Sequence, residues 1–249
     1  MRILCLRIVF VLVIAAGLAT SPARATNEAD LLLVLAADVS RSVDDDEFRL
    51  QREGYATALT NPKVMRAINS GPLGRIAVVY VEWSGEAAQA TVIDWTMIAS
   101  PQDASVFAEK LRTEPRRFRD RTAIGAAIDY SVRVLEASPF TATRRVIDVS
   151  GDGTNTNARL PHVARDDAIA KGITINGIVI LSPVPLAWNP SHTHPPGGLE
   201  KYYNENVAGG MGSFTLAAEG FETFGQSIVS KLIKEIAADT GAVDTGVIR

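Results

Sequence analysis

The chain has 249 residues, 47% hydrophobic and 21% charged, with 25 Lys and Arg against 28 Asp and Glu for a net charge of −3. This is the balance of a folded globular chain, and its acidic excess argues against nucleic-acid binding, which needs basic surface to neutralise phosphates. The lone cysteine, Cys5, excludes an intrachain disulfide framework and a cysteine-ligated zinc site.

Arg2 and Arg7 flank the start of an uncharged apolar run over residues 8–18, and Ala23-Arg24-Ala25 follows as a small-x-small cleavage signal. Residues 1–25 therefore read as a secretory signal peptide. The apolar run falls short of the roughly 20 residues that span a bilayer. Cleavage after Ala25 also removes Cys5, so neither a spanning helix nor an acylated cysteine anchors the product. Residues 26–249 then read as a single domain, its core at about 30–238, followed by a short C-terminal tail. The expected destination is the periplasm or the medium.

Residues 31–37 (LLLVLAA) form a continuous apolar run, the pattern of a strand covered on both faces. A helical pattern follows through Phe48, Leu50, Tyr55, Ala58 and Leu59. Asp44, Asp45, Asp46 and Glu47 stand at its start, where the helix dipole favours negative charge. Residues 75–83 and 87–95 read as two strands, and the short Ser84-Gly85-Glu86 link makes them an antiparallel hairpin. Pro101 opens a helix to about residue 112. A second helix is expected over 122–137, with Ile124, Ala127, Ile128, Val132 and Leu135 on its apolar face. The remaining expectations are a strand at 145–150, a helix at 158–171, strands at 173–181 and 214–217, and an amphipathic helix at 221–237. Residues 182–212, rich in Pro and Gly, read as one long loop. Alternation of this kind predicts an open α/β sheet with helices on both faces.

Directly after the first strand stands Asp38-Val39-Ser40-Arg41-Ser42. In extended chain, alternate residues project to one side, so Asp38, Ser40 and Ser42 can converge. Their place beyond the carboxyl end of a parallel strand is where open α/β sheets bind ligands. One carboxylate with two hydroxyls is an all-oxygen set, suited to a hard cation and above all to Mg²⁺; Mn²⁺ and Ca²⁺ also accept oxygen ligands. A helix N-cap is the plainer reading of the same five residues. Two further segments bear on it: Thr122 opens a helix after Arg121, and Asp152 follows another apolar strand in Val149-Ser150-Gly151-Asp152-Gly153.

With these three segments in this order the sequence resembles the von Willebrand factor A (vWA) domain family over about residues 30–238, and in particular exported bacterial members of it. The resemblance implies a three-layer Rossmann-like fold, mostly parallel with one antiparallel edge strand. It also implies a metal-ion-dependent adhesion site (MIDAS) of Asp38, Ser40, Ser42, Thr122 and Asp152. In that family the cation's remaining position often takes a Glu or Asp carboxylate of a partner protein. The implied function is thus binding of an acidic group through Mg²⁺. Catalysis is not expected, because the three segments hold no histidine or other general base beyond the ligands. Two alternatives stand beside it: a metal-dependent phosphohydrolase on a similar sheet, and a structural domain whose metal only stabilises the fold. The phosphohydrolase pattern wants a second Asp where this chain has Ser40. Gly-x-Gly-x-x-Gly and Gly-x-Ser-x-Gly, the marks of dinucleotide binding and serine hydrolysis, are absent.

If the strands entering Asp38 and Asp152 and the one ending near residue 181 are parallel, loop 182–212 rises beside the metal. Its Trp188, His192, His194, Tyr202 and Tyr203 are residue types that anchor interfaces, which suggests that it selects the partner. His192 and His194 themselves read as exposed rather than metal-binding. Asp45 and Asp46 read as a solvated helix start. Arg112, Arg116, Arg117, Arg119 and Arg121 read as a solvated basic loop, with steering of an acidic partner as the sharper alternative. Asp148, a carboxylate inside an apolar strand, either supports the metal site or has a buried partner elsewhere. Trp83 and Trp95 read as core.

Overall fold

The computed structural model describes residues 27–237, so the expected signal peptide and C-terminal tail lie outside the described residues. The central strand β1 (Leu31–Asp38) is buried along its whole length. It pairs in parallel with β2 (Ile76–Trp83) on one side and β4 (Arg144–Gly151) on the other. The antiparallel β3 (Gln89–Ile98) closes the β2 edge, while β5 (Thr174–Ile180) and β6 (Thr215–Ala218) extend the other side in parallel. The order is β3-β2-β1-β4-β5-β6.

Both faces of this sheet are covered, which is why β1 shows no polar alternation. Leu31, Leu33 and Leu35 point into the layer formed by α1 (Asp45–Leu59), α2 (Pro62–Asn69), α3 (Pro101–Thr113) and α8 (Phe221–Ala237). There Tyr55 meets Tyr80 and Phe224 edge-on, with ring centres 5.6 and 5.2 Å apart. Leu32, Val34 and Ala36 point the other way, against α4 (Ile124–Glu136), α5 (Pro161–Ala170) and α7 (Leu199–Asn206). Trp83 is fully buried in that second layer, and Trp95 packs against it half-buried.

The sequence reading needs amendment at three places. Helix α2 was not anticipated, although Asn61 caps it and Pro62 takes its first turn. The stretch 182–212 is not one loop: it carries the short α6 (Pro190–Thr193) and the two-turn α7. Helix α4 starts at Ile124, so Thr122 stands just ahead of it.

Asp148 points into the α1–α8 layer, away from the motif. The Lys231 ammonium lies 2.6 Å from its Oδ1 and also binds Glu235, which accepts a 2.8 Å hydrogen bond from Asn176. Two buried carboxylates thus share one cation. Burial pushes the Asp148 carboxyl up to about 7, with Lys231 opposing the shift and Glu235 adding to it. An unfolded Asp releases its proton near pH 4. The folded form therefore keeps a proton that the unfolded form has lost, and this group's contribution to stability is lost as pH rises from about 4 to about 7. Urea denaturation across that range is expected to show a declining stability in the wild type and a shallower decline in Asp148→Asn. Equal slopes would remove the assignment to Asp148.

Candidate metal centre

The motif sits at the carboxyl ends of β1 and β4, between the strands where the order of connection reverses. Open α/β sheets bind ligands at such a crevice. Asp38 ends β1, and Ala37 faces Ser150 across the ladder, so Asp38 and Asp152 leave the sheet side by side. Both are buried.

Side-chain contacts join four of the five expected residues. Asp38 Oδ1 accepts the Ser40 backbone N–H at 2.7 Å. The Ser40 and Ser42 hydroxyls are 3.1 Å apart, and the Ser42 hydroxyl donates to Asp152 Oδ1 at 2.7 Å. Among the described residues no hydrogen bond joins Thr122 to these four. Thr122 shares with Ser42 a cavity of about 260 Å³ that is also lined by Arg41, Arg121, Trp188 and His192. Cavities of about 510 and 540 Å³ open at the amino ends of the strands instead, away from the motif.

The electrostatics of the cluster are unfavourable without a cation. Burial raises the Asp38 carboxyl well above its usual range, and the charge of Asp152 raises it further, against hydrogen bonds from Ser40 and the nearby Arg116. Burial likewise pushes Asp152 up to about 6, opposed by the Ser42 hydroxyl. Asp38 Oδ2 is buried with no hydrogen-bond partner. An unpaired buried carboxylate oxygen is costly, and a divalent cation would satisfy it. Among the described residues no three His, Cys, Asp or Glu side chains gather as a metal cluster by themselves. A cation here would lean on the hydroxyls, as the donor set of the motif provides. In chemistry, then, the residues fit a hard divalent ion.

A ring of supporting residues fixes the three segments, and the sequence did not single out their roles. Arg116, half-buried, donates from one guanidinium nitrogen to the carbonyls of Val39, Ser40 and Val43 at 2.8, 2.9 and 2.9 Å. It also stacks on Phe48, 5.3 Å from the ring centre. The Arg41 N–H donates to Asp120 C=O at 2.8 Å, tying the motif to the irregular segment that leads to Thr122. Asn155 Oδ1 accepts the first N–H of α4 at 2.8 Å, replacing the side-chain cap that Ala123 lacks. Thr156 N–H donates to Thr122 C=O at 2.8 Å. The turn after Asp152 thereby holds Thr122 in place.

The aromatic residues of 182–212 are used differently from the expectation. Tyr203 is fully buried, and a Cβ on Gly151 would stand 2.4 Å from its hydroxyl. Tyr202 accepts the Asn155 N–H at 3.1 Å. These two support the motif segments from beneath and are not available as interface anchors. Trp188 is 62% exposed, whereas His192 is buried beneath it, the rings stacked at 6.3 Å. The reading of His192 as exposed is therefore corrected: α6 inserts it beside Thr122. His194 is exposed.

The basic loop is largely neutralised. Arg112 pairs with Glu53, Arg117 with Glu114, and Arg119 with Asp45. Arg121 lines the cavity. Asp44 caps α1 in a capping box with Glu47, and Asp45 and Asp46 occupy its first turn, in keeping with a solvated helix start.

The sheet order and the helices on both faces give the vWA-type fold, and solved structures agree. The proximal thread matrix protein 1 of the mussel byssus superposes with a TM-score of 0.62 at 13% identity, covering 84% of this chain and 49% of its own. The pilus adhesin SpaC from Lactobacillus rhamnosus GG gives 0.60 at 11%, covering 84% of this chain and 31% of its own. A von Willebrand factor type A protein from Catenulispora acidiphila gives 0.54 at 15%, covering 84% and 42%. At these identities the likeness shows the fold, and this chain spans about half or less of each neighbour's length. The mussel protein is also known with a zinc-occupied MIDAS motif. No curated protein matches in sequence. The chain belongs to the family described as "Protein of unknown function (DUF1194)", whose profile matches residues 28–240.

Arg116 gives a direct test of the bracing. A lysine has a single nitrogen, so beside these three carbonyls it cannot also keep the 2.9 Å bond that Arg116 Nε donates to Phe118 C=O, nor can it stack flat on Phe48. Arg116→Lys is expected to cost about 2–3 kcal/mol, the scale of hydrogen bonds to a charged group, read by urea denaturation. A loss within about 0.5 kcal/mol, typical of an unimportant surface site, would mean that the loop holds without it.

Proposed function

We propose that this chain is an exported binding module that holds a divalent cation through Asp38, Ser40, Ser42, Thr122 and Asp152 and uses it to grip a carboxylate of a partner protein. The observation that carries this is the buried Asp38–Asp152 pair, with Asp38 Oδ2 unpartnered among the described residues, the Ser40 and Ser42 hydroxyls beside the pair, and Thr122 lining a cavity with Ser42. The five oxygens by themselves suit Mg²⁺, with Mn²⁺ and Ca²⁺ as related oxygen-seeking ions. The two carboxylates balance the ion's charge, so it stays electrophilic toward one more anionic oxygen. Zinc in the MIDAS motif of the mussel neighbour supports a divalent ion on this fold. The adhesin and matrix-protein neighbours support a protein partner.

Export rests on the expected signal peptide of residues 1–25. Among the described residues no helix is long and apolar enough to cross a membrane. The site is read as non-catalytic because its carboxylates are committed to the cation. Turnover of an aryl phosphate by the metal-loaded protein would revive the phosphohydrolase alternative.

Linkage gives the test its sign. With a chelator, Asp152→Asn is expected to be at least as stable as the wild type, because it removes a buried like charge. With Mg²⁺ at about 100 times its Kd, the wild type should gain about 2.7 kcal/mol and the variant almost nothing. Calorimetric titration should show one Mg²⁺ site in the wild type, lost in Asp38→Ala. Pull-down from an envelope fraction should then capture a partner in Mg²⁺ but not in chelator. Equal capture in both would refute recognition through the metal. A variant that unfolds on losing its metal would instead favour the purely structural reading.

A further inference from the structure

We infer that His192 is an internal sixth ligand of this cation site, supplying a nitrogen donor that turns its preference from Mg²⁺ toward a borderline cation such as Zn²⁺. This rests on the reading that the motif holds a divalent ion.

The argument begins with where the ring is held. His192 is 1% exposed, and its Nε2 stands 3.4 Å from the Thr122 hydroxyl oxygen. A Cβ on Gly153, the residue after Asp152, would be 2.1 Å from the same Nε2. The imidazole is therefore wedged into the turn that carries one motif carboxylate, facing the hydroxyl of another motif residue. Only a glycine at position 153 leaves it room.

The orientation of the ring suits a ligand. Thr154 N–H donates to His192 C=O at 2.9 Å and pins the backbone. The Thr154 hydroxyl lies 3.4 Å from Nδ1. If Nδ1–H donates to that oxygen, the lone pair is on Nε2, pointed at the motif. Metal-bound histidines are commonly oriented in this way through their other nitrogen. Trp188 stacks over the outer side of the ring and shields it.

Nε2 and the Thr122 hydroxyl, 3.4 Å apart, line the same cavity as Ser42. The imidazole and the two carboxylates do not form a cluster by themselves. Nε2 would act as one more donor beside the motif's own oxygens.

A nitrogen donor matters because Mg²⁺ prefers oxygen, whereas imidazole suits Zn²⁺ and its neighbours. It also puts the imidazole at the position a partner's carboxylate would take, so the two would compete for it.

The test measures Zn²⁺ and Mg²⁺ affinities at pH 7, by chelator competition and calorimetry, for the wild type, His192→Ala and His192→Gln. The glutamine keeps a polar side chain of similar reach should the alanine variant fail to fold. Expected is a loss of Zn²⁺ affinity of about 10–100-fold with Mg²⁺ affinity changed less than about twofold, and a ring ¹⁵N shift at His192 Nε2 when Zn²⁺ is added. Equal losses for both ions, or none, would overturn the assignment, as would an unmoved His192 resonance in the zinc-loaded wild type. Asp38→Ala run alongside separates the two readings. If it leaves both ions bound as before, the motif itself is not the site; if it abolishes both while His192 variants change neither, only the sixth ligand is wrong.

Discussion

Two carboxylates buried side by side without a matching charge are the constraint on which this molecule turns. Asp38 and Asp152 sit where β1 and β4 release the chain, and each is pushed upward first by loss of water. The protein compensates only in part. Ser40 N–H and the Ser42 hydroxyl each satisfy one oxygen, Arg116 contributes a partial positive field, and Asp38 Oδ2 is left unsatisfied. A fold that merely needed polar loop ends could have used Asn or Ser at these positions at lower cost. Retaining two acids makes physical sense if a divalent ion belongs between them.

The rest of the architecture positions that pair. Parallel strands bring three loop starts to one edge of the sheet, and the reversal of strand order opens a crevice there. The segments are then braced to one another: Arg116 to the first, Asn155 and Thr156 to the approach of Thr122, and Tyr203 beneath Gly151. Such bracing fixes donor atoms against mutual repulsion, the kind of preorganisation that favours a binding site. The polar interior elsewhere has a separate origin. The Lys231–Asp148–Glu235 cluster fastens α8 to β4 on the opposite layer.

Much of this was legible in the sequence because its signals are local. The apolar run 31–37 announces a strand covered on both faces, the Ser84-Gly85-Glu86 link an antiparallel hairpin, and the vWA-type motif the order of its three segments. What escaped depended on distant contacts or on weak local pattern. Helix α2 is short, and its Asn61-Pro62 start passes easily for a turn. Helix α7 is mostly polar and borders a Gly-rich stretch, so its two turns look like loop until Leu199 and Tyr203 find the second layer. His192 reads as an exposed residue in a Pro-rich segment. Its burial comes from α6 setting it against Thr122 and Gly153, distant contacts that no local period encodes. The same holds for Arg116, one of five arginines in a short stretch, distinguished only by the three carbonyls it meets.

The most direct measurement is a crystal grown with Mn²⁺ and recorded above and below the manganese absorption edge. The account predicts a single strong anomalous peak among the hydroxyls of Ser40, Ser42 and Thr122, with the carboxylates of Asp38 and Asp152 turned toward it. A peak elsewhere, or none at saturating Mn²⁺ with the five side chains placed as described, would contradict it.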